Sequence, residues 1–376
     1  MKIGVRFEYP VRGTGRPQIV LIGNGLEMKS GQVAWKKLVD NLTVPNCIPI
    51  TDEEKKTMPF PLLYEVLVLN RPIPQILDAA AIRDEEKCLK REMRNLVNSS
   101  NDLLDELPEL NADHIFTTNY SYCLEKAFFP KRDFTSSVSR SSVRFNLLMS
   151  DENEKQMRES QYRLHSGYLA KNSNSTNVGL WHIHGESSAS EGIVLGHDRY
   201  GRLLKRIIEI CSDLDYKGIT KKKPRCFTSW PELFLFGDVY VIGFGFDQSE
   251  FDLWWLLRRK QRERHGDGRV IFYDKCISIK EPIKINSLLT PEAREAAVKE
   301  NENIIWHNHS VRKKILRDKL LAAHGVQILD CGSSNETGYD EFYKRAFSDV
   351  RARIEKCRGV SGTIQAGEDD MIKKTG

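Results

Sequence analysis

Ile19-Val20-Leu21-Ile22-Gly23-Asn24-Gly25 is an apolar run of four residues that stops in a glycine-asparagine-glycine turn. A strand buried on both faces reads as such a continuous run, and the turn is of the kind that opens a helix. The pattern recurs. Ile115-Phe116-Thr117-Thr118 ends at Asn119-Tyr120, after which Leu124, Ala127 and Phe128 recur at helical spacing. The stretch from Gly179 to Ile183 ends at His184, and Val239-Tyr240-Val241-Ile242 ends in Gly243-Phe244-Gly245, with Phe251, Trp254 and Trp255 starting a helix. Val270-Ile271-Phe272 ends in Tyr273-Asp274, and Val326-Gln327-Ile328-Leu329 precedes a helix whose Phe342, Ala346, Phe347, Val350 and Ile354 share one stripe. A further helix is expected from Tyr200 to Cys211. Repeated strand-turn-helix units predict an α/β protein, a Rossmann-like doubly wound parallel sheet with helices on both faces.

Outward from these units the chain is expected to divide into an N-terminal arm (1–17), a main domain (18–350) and a C-terminal helix end with a flexible tail (351–376). Leu89, Met93, Leu96 and Val97, continued by Leu103, Leu104 and Leu107, predict a helix over about 86 to 107 that Pro108 stops, within a helical insertion at about 50–108. The polar, serine-rich stretch at about 133–176 reads as a mobile surface excursion. A frayed tail is expected from Gly359.

Composition narrows the class. The net charge of +5 is the small difference between 57 basic and 52 acidic residues, so there is little general attraction to nucleic acid. Eight cysteines without any Cys-x-x-Cys pair argue against a structural zinc site and a disulfide framework, and point to a reducing cytoplasm. No stretch approaches the roughly 20 apolar residues that cross a bilayer, the N-terminus lacks an apolar leader, and no fused sensor domain is evident.

The chemistry-bearing residues stand at strand ends, where an open α/β sheet binds its ligands. His184, in Leu180-Trp181-His182-Ile183-His184-Gly185-Glu186 with Ile193-Val194-Leu195-Gly196 beyond it, is placed to move protons near neutral pH. A hydrogen-bonded structural histidine is the alternative. Gly23-Asn24-Gly25 suits the approach of backbone amides to a pyrophosphate, but Met28 replaces the third glycine of the dinucleotide fingerprint, and a tight turn explains it equally. Gly243-Phe244-Gly245 suits a ribose or nicotinamide ring, or a turn needing positive φ. Asp274 suits a ribose diol, or a helix cap.

Two His-x-His pairs, His182/His184 on one strand face and His307/His309, raise a metal site, but no carboxylate or cysteine pattern completes either, and no metal is expected. The basic runs Arg258 to Arg262 and Lys221 to Arg225 read as solvated faces, or in the first case a subunit contact. Neither predicts nucleic-acid binding on its own.

Taken in order, Leu21-Ile22-Gly23-Asn24-Gly25, Phe116-Thr117-Thr118-Asn119-Tyr120, Leu180 to Glu186 and Val241-Ile242-Gly243-Phe244-Gly245-Phe246 resemble the sirtuin-like superfamily, in its bacterial defence branch of NAD-degrading enzymes. The resemblance spans about 19 to 275 and makes 18–350 a sirtuin-like NAD-binding domain. It implies that Asn119 holds the nicotinamide ribose and the water, that His184 is the catalytic histidine, and that Gly23, Asn24 and Gly25 form the pyrophosphate loop. It further implies that Gly243 and Phe244 line the ribose. Thr118, Tyr120, Gly245 and, from its strand-end position, Asp274 are further candidates for NAD binding. Two positions depart from the family: Ser121 replaces the usual aspartate, and the cysteine quartet of deacetylating sirtuins is missing. The activity implied is NAD+ hydrolysis to nicotinamide and ADP-ribose in an anti-phage abortive-infection system, with a homo-oligomer and a HerA-type ATPase partner. A non-catalytic NAD- or ADP-ribose-binding scaffold is the alternative, and a protein deacylase is less favoured.

Overall fold

The computed structural model describes residues 3–5, 7–9, 15–30, 50–69, 96, 98–147, 162–189, 192–212, 214, 225–263, 268–275, 277–285, 290–332 and 338–372. Its strands are β1 (Ile3–Val5), β2 (Phe7–Tyr9), β3 (Gln18–Ile22), β4 (His114–Thr117), β5 (Arg144–Leu147), β6 (Ser166–Lys171), β7 (Asn177–His182), β8 (Arg225–Phe227), β9 (Asp238–Ile242), β10 (Val270–Asp274) and β11 (Val326–Asp330). The helices are α1 (Asn24–Glu27), α2 (Asp52–Thr57), α3 (Phe60–Leu69), α4 (Cys123–Phe128), α5 (Ser137–Ser141), α6 (Gly196–Ser212), α7 (Trp230–Phe236), α8 (Phe251–Glu263), α9 (Pro291–Ala323) and α10 (Tyr339–Ile372).

Among the described residues nine strands form one sheet in the order β1-β5-β6-β7-β4-β3-β9-β10-β11. The run β7-β4-β3-β9-β10-β11 is the 3-2-1-4-5-6 order of a dinucleotide-binding sheet, with its reversal between β3 and β9. All five residues of β3 and of β9 are buried, which is why both stand out in the sequence as solid runs. One face is covered by α6, α7 and α8 through Leu203, Ile207, Leu233, Phe236, Leu253 and Leu256. The other is covered by α10, α4 and a 3-10 helix, Leu104–Leu110, through Phe342, Phe347, Val350, Leu124 and Leu107. The Rossmann-like doubly wound expectation therefore holds.

Several local expectations differ. The sheet is mixed, because β6 runs antiparallel to both β5 and β7. The stretch 133–176, read as a surface excursion, supplies α5, β5 and β6, and the arm supplies β1, which pairs with β5, and β2, which pairs with β8. Of the helix expected at 86–107, residues 86–95 and 97 lie outside the described residues. The chain from Asn101 starts a separate element: Asn101 caps it by accepting from the backbone N–H groups of Leu103 and Leu104, and Pro108 lies inside the 3-10 helix. Asn111, left-handed at φ 56°, ends it. Most of the insertion beyond α3 is likewise undescribed, as is the basic run Lys221 to Pro224. On α8 the buried stripe is Asp252, Leu253, Leu256, Leu257 and Lys260, whereas Phe251 of the expected stripe is 42% exposed. No sequence pattern announced α9, and α10 runs past Gly359 to Ile372. Among the described residues no helix is long and apolar enough to cross a membrane.

Candidate active site

Parallel pairing puts the carboxyl ends of four neighbouring strands level with one another. Ile22 of β3 pairs with Thr117 of β4 and Ile242 of β9, and Thr117 pairs in turn with His182 of β7. Asn119 and His184 therefore each stand two residues beyond the same rung. The sheet, rather than any local motif, brings both to the same end of the strands.

Asn119 is 2% exposed, yet among the described residues neither its Oδ1 nor its Nδ2 has a hydrogen-bond partner. Its backbone is held firmly all the same. The N–H donates to Thr117 Oγ1 (3.1 Å), and the carbonyl oxygen lies 2.8 Å from His182 Nδ1, whose Nε2 is 2.8 Å from Glu125 on α4. Burial alone would lower the pKa of His182, but the Glu125 carboxylate overrides it and lifts it to about 9. As an imidazolium, His182 donates to both partners and fixes the Asn119 backbone. A buried amide left without partners costs about 1–3 kcal/mol per polar group, and a fold keeps such a side chain where a ligand will satisfy it.

His184 faces the other side of the sheet. The strand ends at His182 and the chain turns at Gly185 (φ 95°), so the two histidines expected on one face are separated: His182 packs against Tyr122 and Tyr168, His184 against Tyr200. His184 Nε2 lies 2.9 Å from Asp252 Oδ2 on α8, and its Nδ1 lies 3.7 Å from Glu250, which accepts from the Tyr200 hydroxyl (2.9 Å). Burial pulls the His184 pKa down, but the Asp252 charge and hydrogen bond, with Glu250, raise it overall. Burial next to Asp252 pushes Glu250 up to about 7, despite the opposing pull of His184. The cluster can thus exchange a proton near neutrality. Sequence reasoning missed Asp252, Glu250 and Tyr200 as site residues; the available signal was Asp252, a carboxylate on the buried stripe of α8. The donor atoms of His184, Glu250 and Asp252 lie within 4.8 Å of one another, close enough to hold a metal ion, although the His184–Asp252 separation is that of a hydrogen bond.

The two glycine loops approach each other. Gly25 N–H donates to the Gly243 carbonyl (3.0 Å) and Gly23 N–H to that of Ile242 (3.2 Å). A Cβ at Gly23 would lie 2.6 Å from Gly243 O, and one at Gly25 2.6 Å from the Tyr343 hydroxyl, so the missing side chains serve this loop-to-loop packing. Gly243 is left-handed (φ 64°), Gly245 faces open space, Phe244 is half-buried, and Asn24 begins α1. Thr118 is buried, and the Tyr120 hydroxyl donates to the Val194 carbonyl (2.8 Å). Asp274 is engaged by α9: Arg317 and Lys314 (3.1 Å) pair with its carboxylate, and Arg317 also donates to the Gly245 carbonyl (3.2 Å). Ser121 donates to the buried carboxylate of Glu27 on α1. The second histidine pair is a brace, His307 Nε2 lying 2.9 Å from the Ser278 carbonyl.

No curated protein matches this chain. A family model for the SIR2-like domain matches residues 113–304, a span that begins one residue before β4 and includes Asn119, His184, Glu250, Asp252 and Asp274. SIR2-like domains are typically NAD-dependent enzymes, and NAD-related chemistry is the activity this match supports. With more than half its length matched, on a doubly wound sheet whose level strand ends carry these residues, the chain belongs to the SIR2-like domain family.

Proposed function

We propose that the protein hydrolyses NAD+ at the nicotinamide–ribose bond, giving nicotinamide and ADP-ribose. The observation that carries this reading is the Asn119 side chain, buried at a strand end with neither amide atom partnered. As the bond breaks, its electron pair passes to the pyridinium nitrogen, so nicotinamide leaves neutral and the ribose takes on oxocarbenium character. Asn119 Oδ1 faces the ribose and Nδ2 the water. His184 accepts the water's proton as the oxygen bonds to the anomeric carbon, and Asp252 orients the ring and stabilises the imidazolium. Glu27, brought in through Ser121, supplies a carboxylate near the position where the family carries aspartate. Gly23, Asn24 and Gly25 serve the diphosphate, and Gly243, Phe244 and Gly245 the ribose, by resemblance. Thr118, Tyr120 and, at its strand end, Asp274 are further candidates for NAD contact, although the Asp274 carboxylate is already paired with Arg317 and Lys314.

His184 is 2% exposed and its two nitrogens face carboxylates, so water and ribose reach it only after a shift of α8 or of the turn at Gly185. A resting site of this kind suits an activity held in check. The anti-phage effector role, the homo-oligomer and the HerA-type partner rest on the resemblance, and the cytoplasmic location on the cysteine pattern.

The test is nicotinamide release from the purified protein, alone and with the products of its neighbouring genes. His184→Ala is expected to lower the rate by about 10²–10⁴-fold, the range of a lost general base; full activity in this variant would sink the assignment. In Asp252→Asn the negative charge that raises the His184 pKa is gone. The ring then sheds its proton at lower pH, and the acid limb of the rate profile moves to lower pH with a reduced plateau. An unmoved limb would remove Asp252 from the mechanism.

A further inference from the structure

α9 spans 33 residues, about 50 Å at helical rise, and is capped by Thr290, whose hydroxyl accepts from the Ala293 N–H. One seam is buried: Ala297, Ile304 and Val311 at seven-residue intervals, then Leu321. A second is covered by the extended segment 277–285. Asn308 accepts from the Lys280 N–H (2.8 Å) and donates to its carbonyl (2.9 Å), and Asn301 does the same for Ile283 (2.7 and 2.9 Å). Seven helical residues and three extended ones both cover about 10 Å, so the segment lies along the helix as a strand lies on a sheet edge.

The remaining seam is bare. Glu295, Val298, Glu302, Ile305, His309, Arg312, Leu316 and Lys319 succeed one another in alternating steps of three and four, the spacing of a coiled-coil seam, and all eight are exposed, Ile305 to 65%. Among the described residues none of Glu295, Glu302, Arg312 and Lys319 makes an ion pair. Asn301 and Asn308 stand one turn from Val298, Ile305 and Arg312, so the exposed Ile279 and Ile283 of the zipped segment border this seam. Val298, Ile305 and Leu316, exposed in line among charged residues and bordered by Ile279 and Ile283, give the helix an amphipathic contact face.

The seam is its own complement when read in reverse. About residue 307, Glu295 mirrors Lys319, Val298 mirrors Leu316, Glu302 mirrors Arg312, and Ile305 mirrors His309. Each acidic position meets a basic one and each apolar position a partner it can pack against. We propose that α9 pairs antiparallel with α9 of a second copy of this chain, about a twofold axis through position 307. The contact is isologous, so every pair occurs twice. Lys314 and Arg317, on another flank of the same helix, hold Asp274 and the Gly245 carbonyl, so pairing also steadies the helix that braces the strand ends. The inference stands on α9 alone and is independent of the NAD reading.

Sedimentation equilibrium on the full chain tests it. Glu302→Arg sets arginine against arginine twice per pair, and Arg312→Glu sets glutamate against glutamate. Each is expected to weaken the association by about tenfold or more, as like charges in an interface do. The double variant Glu302→Arg/Arg312→Glu restores opposite charges and is expected to recover wild-type association, while all three melt alike with wild type when diluted to the monomer, where the positions are exposed. A wild-type chain that is monomeric at micromolar concentration, single variants that associate as wild type does, or a double variant no better than the singles would each overturn the proposal.

Discussion

Asn119→Ala is expected to lower nicotinamide release about 10²–10³-fold, the loss caused by removing one preorganised polar contact to a developing charge. The same variant is expected to melt no lower than the wild type. Its backbone contacts to Thr117 and His182 survive the substitution, and the amide it removes contributes no hydrogen bond to the fold. Removing two unsatisfied polar groups relieves a desolvation cost, which opposes the loss of packing. Activity and stability then move apart. A structural asparagine would move them together, so a variant that loses activity in proportion to its melting temperature contradicts the assignment. Titration of the inactive protein with NAD+ separates loss of binding from loss of turnover.

Glu186→Gln is expected to cost about 3–5 kcal/mol of stability, because it breaks a buried ion pair and leaves its cations without a counter-charge. Glu186 is fully buried after the turn at Gly185. Its Oε1 accepts from Arg144 of β5 (2.7 Å) and Arg163 (2.5 Å), and its Oε2 accepts from Tyr168 of β6 (2.5 Å). Burial raises its pKa, but the arginines, His182 and the Tyr168 hydrogen bond overcome it and hold the carboxyl at about 2 against an ordinary 4.5. That difference, at about 1.4 kcal/mol per pH unit, amounts to roughly 3–4 kcal/mol, consistent with the cost of breaking the pair. The folded-state value is the lower one, so the contribution is fully present above pH 4.5 and is lost as pH falls toward 2. Urea melts of wild type and variant should therefore differ most near neutrality and converge as the pH approaches 2. A gap that stays constant over this range would show that the carboxylate charge is not what holds β5 and β6 to the turn.

How much of the fold is legible in the chain depends on how each element is buried. β3, β4, β7, β9 and β10 lie inside the sheet and are predominantly buried, so they stand out as near-continuous apolar runs. β5 escapes notice because only Phe145 and Leu147 of its four residues are buried, between Arg144 and Asn146. α9 escapes because few of its positions are buried and the rest are polar or bare, so no broad apolar face marks it. Asn119 and His184 were legible as strand-end residues. Asp252 was not, since it reaches His184 across 68 positions of sequence.

The sequence by itself determined the doubly wound class, the strand endings and the residues standing at them, because strand burial and turn chemistry are local properties that leave local patterns. Only the tertiary structure decided which endings are level, that the Asn119 amide is buried without partners, that His184 turns to Asp252 while His182 turns to Glu125, and that the glycine loops close on each other. These depend on strand order and register, which bring together residues from distant parts of the chain, and no local pattern encodes that meeting.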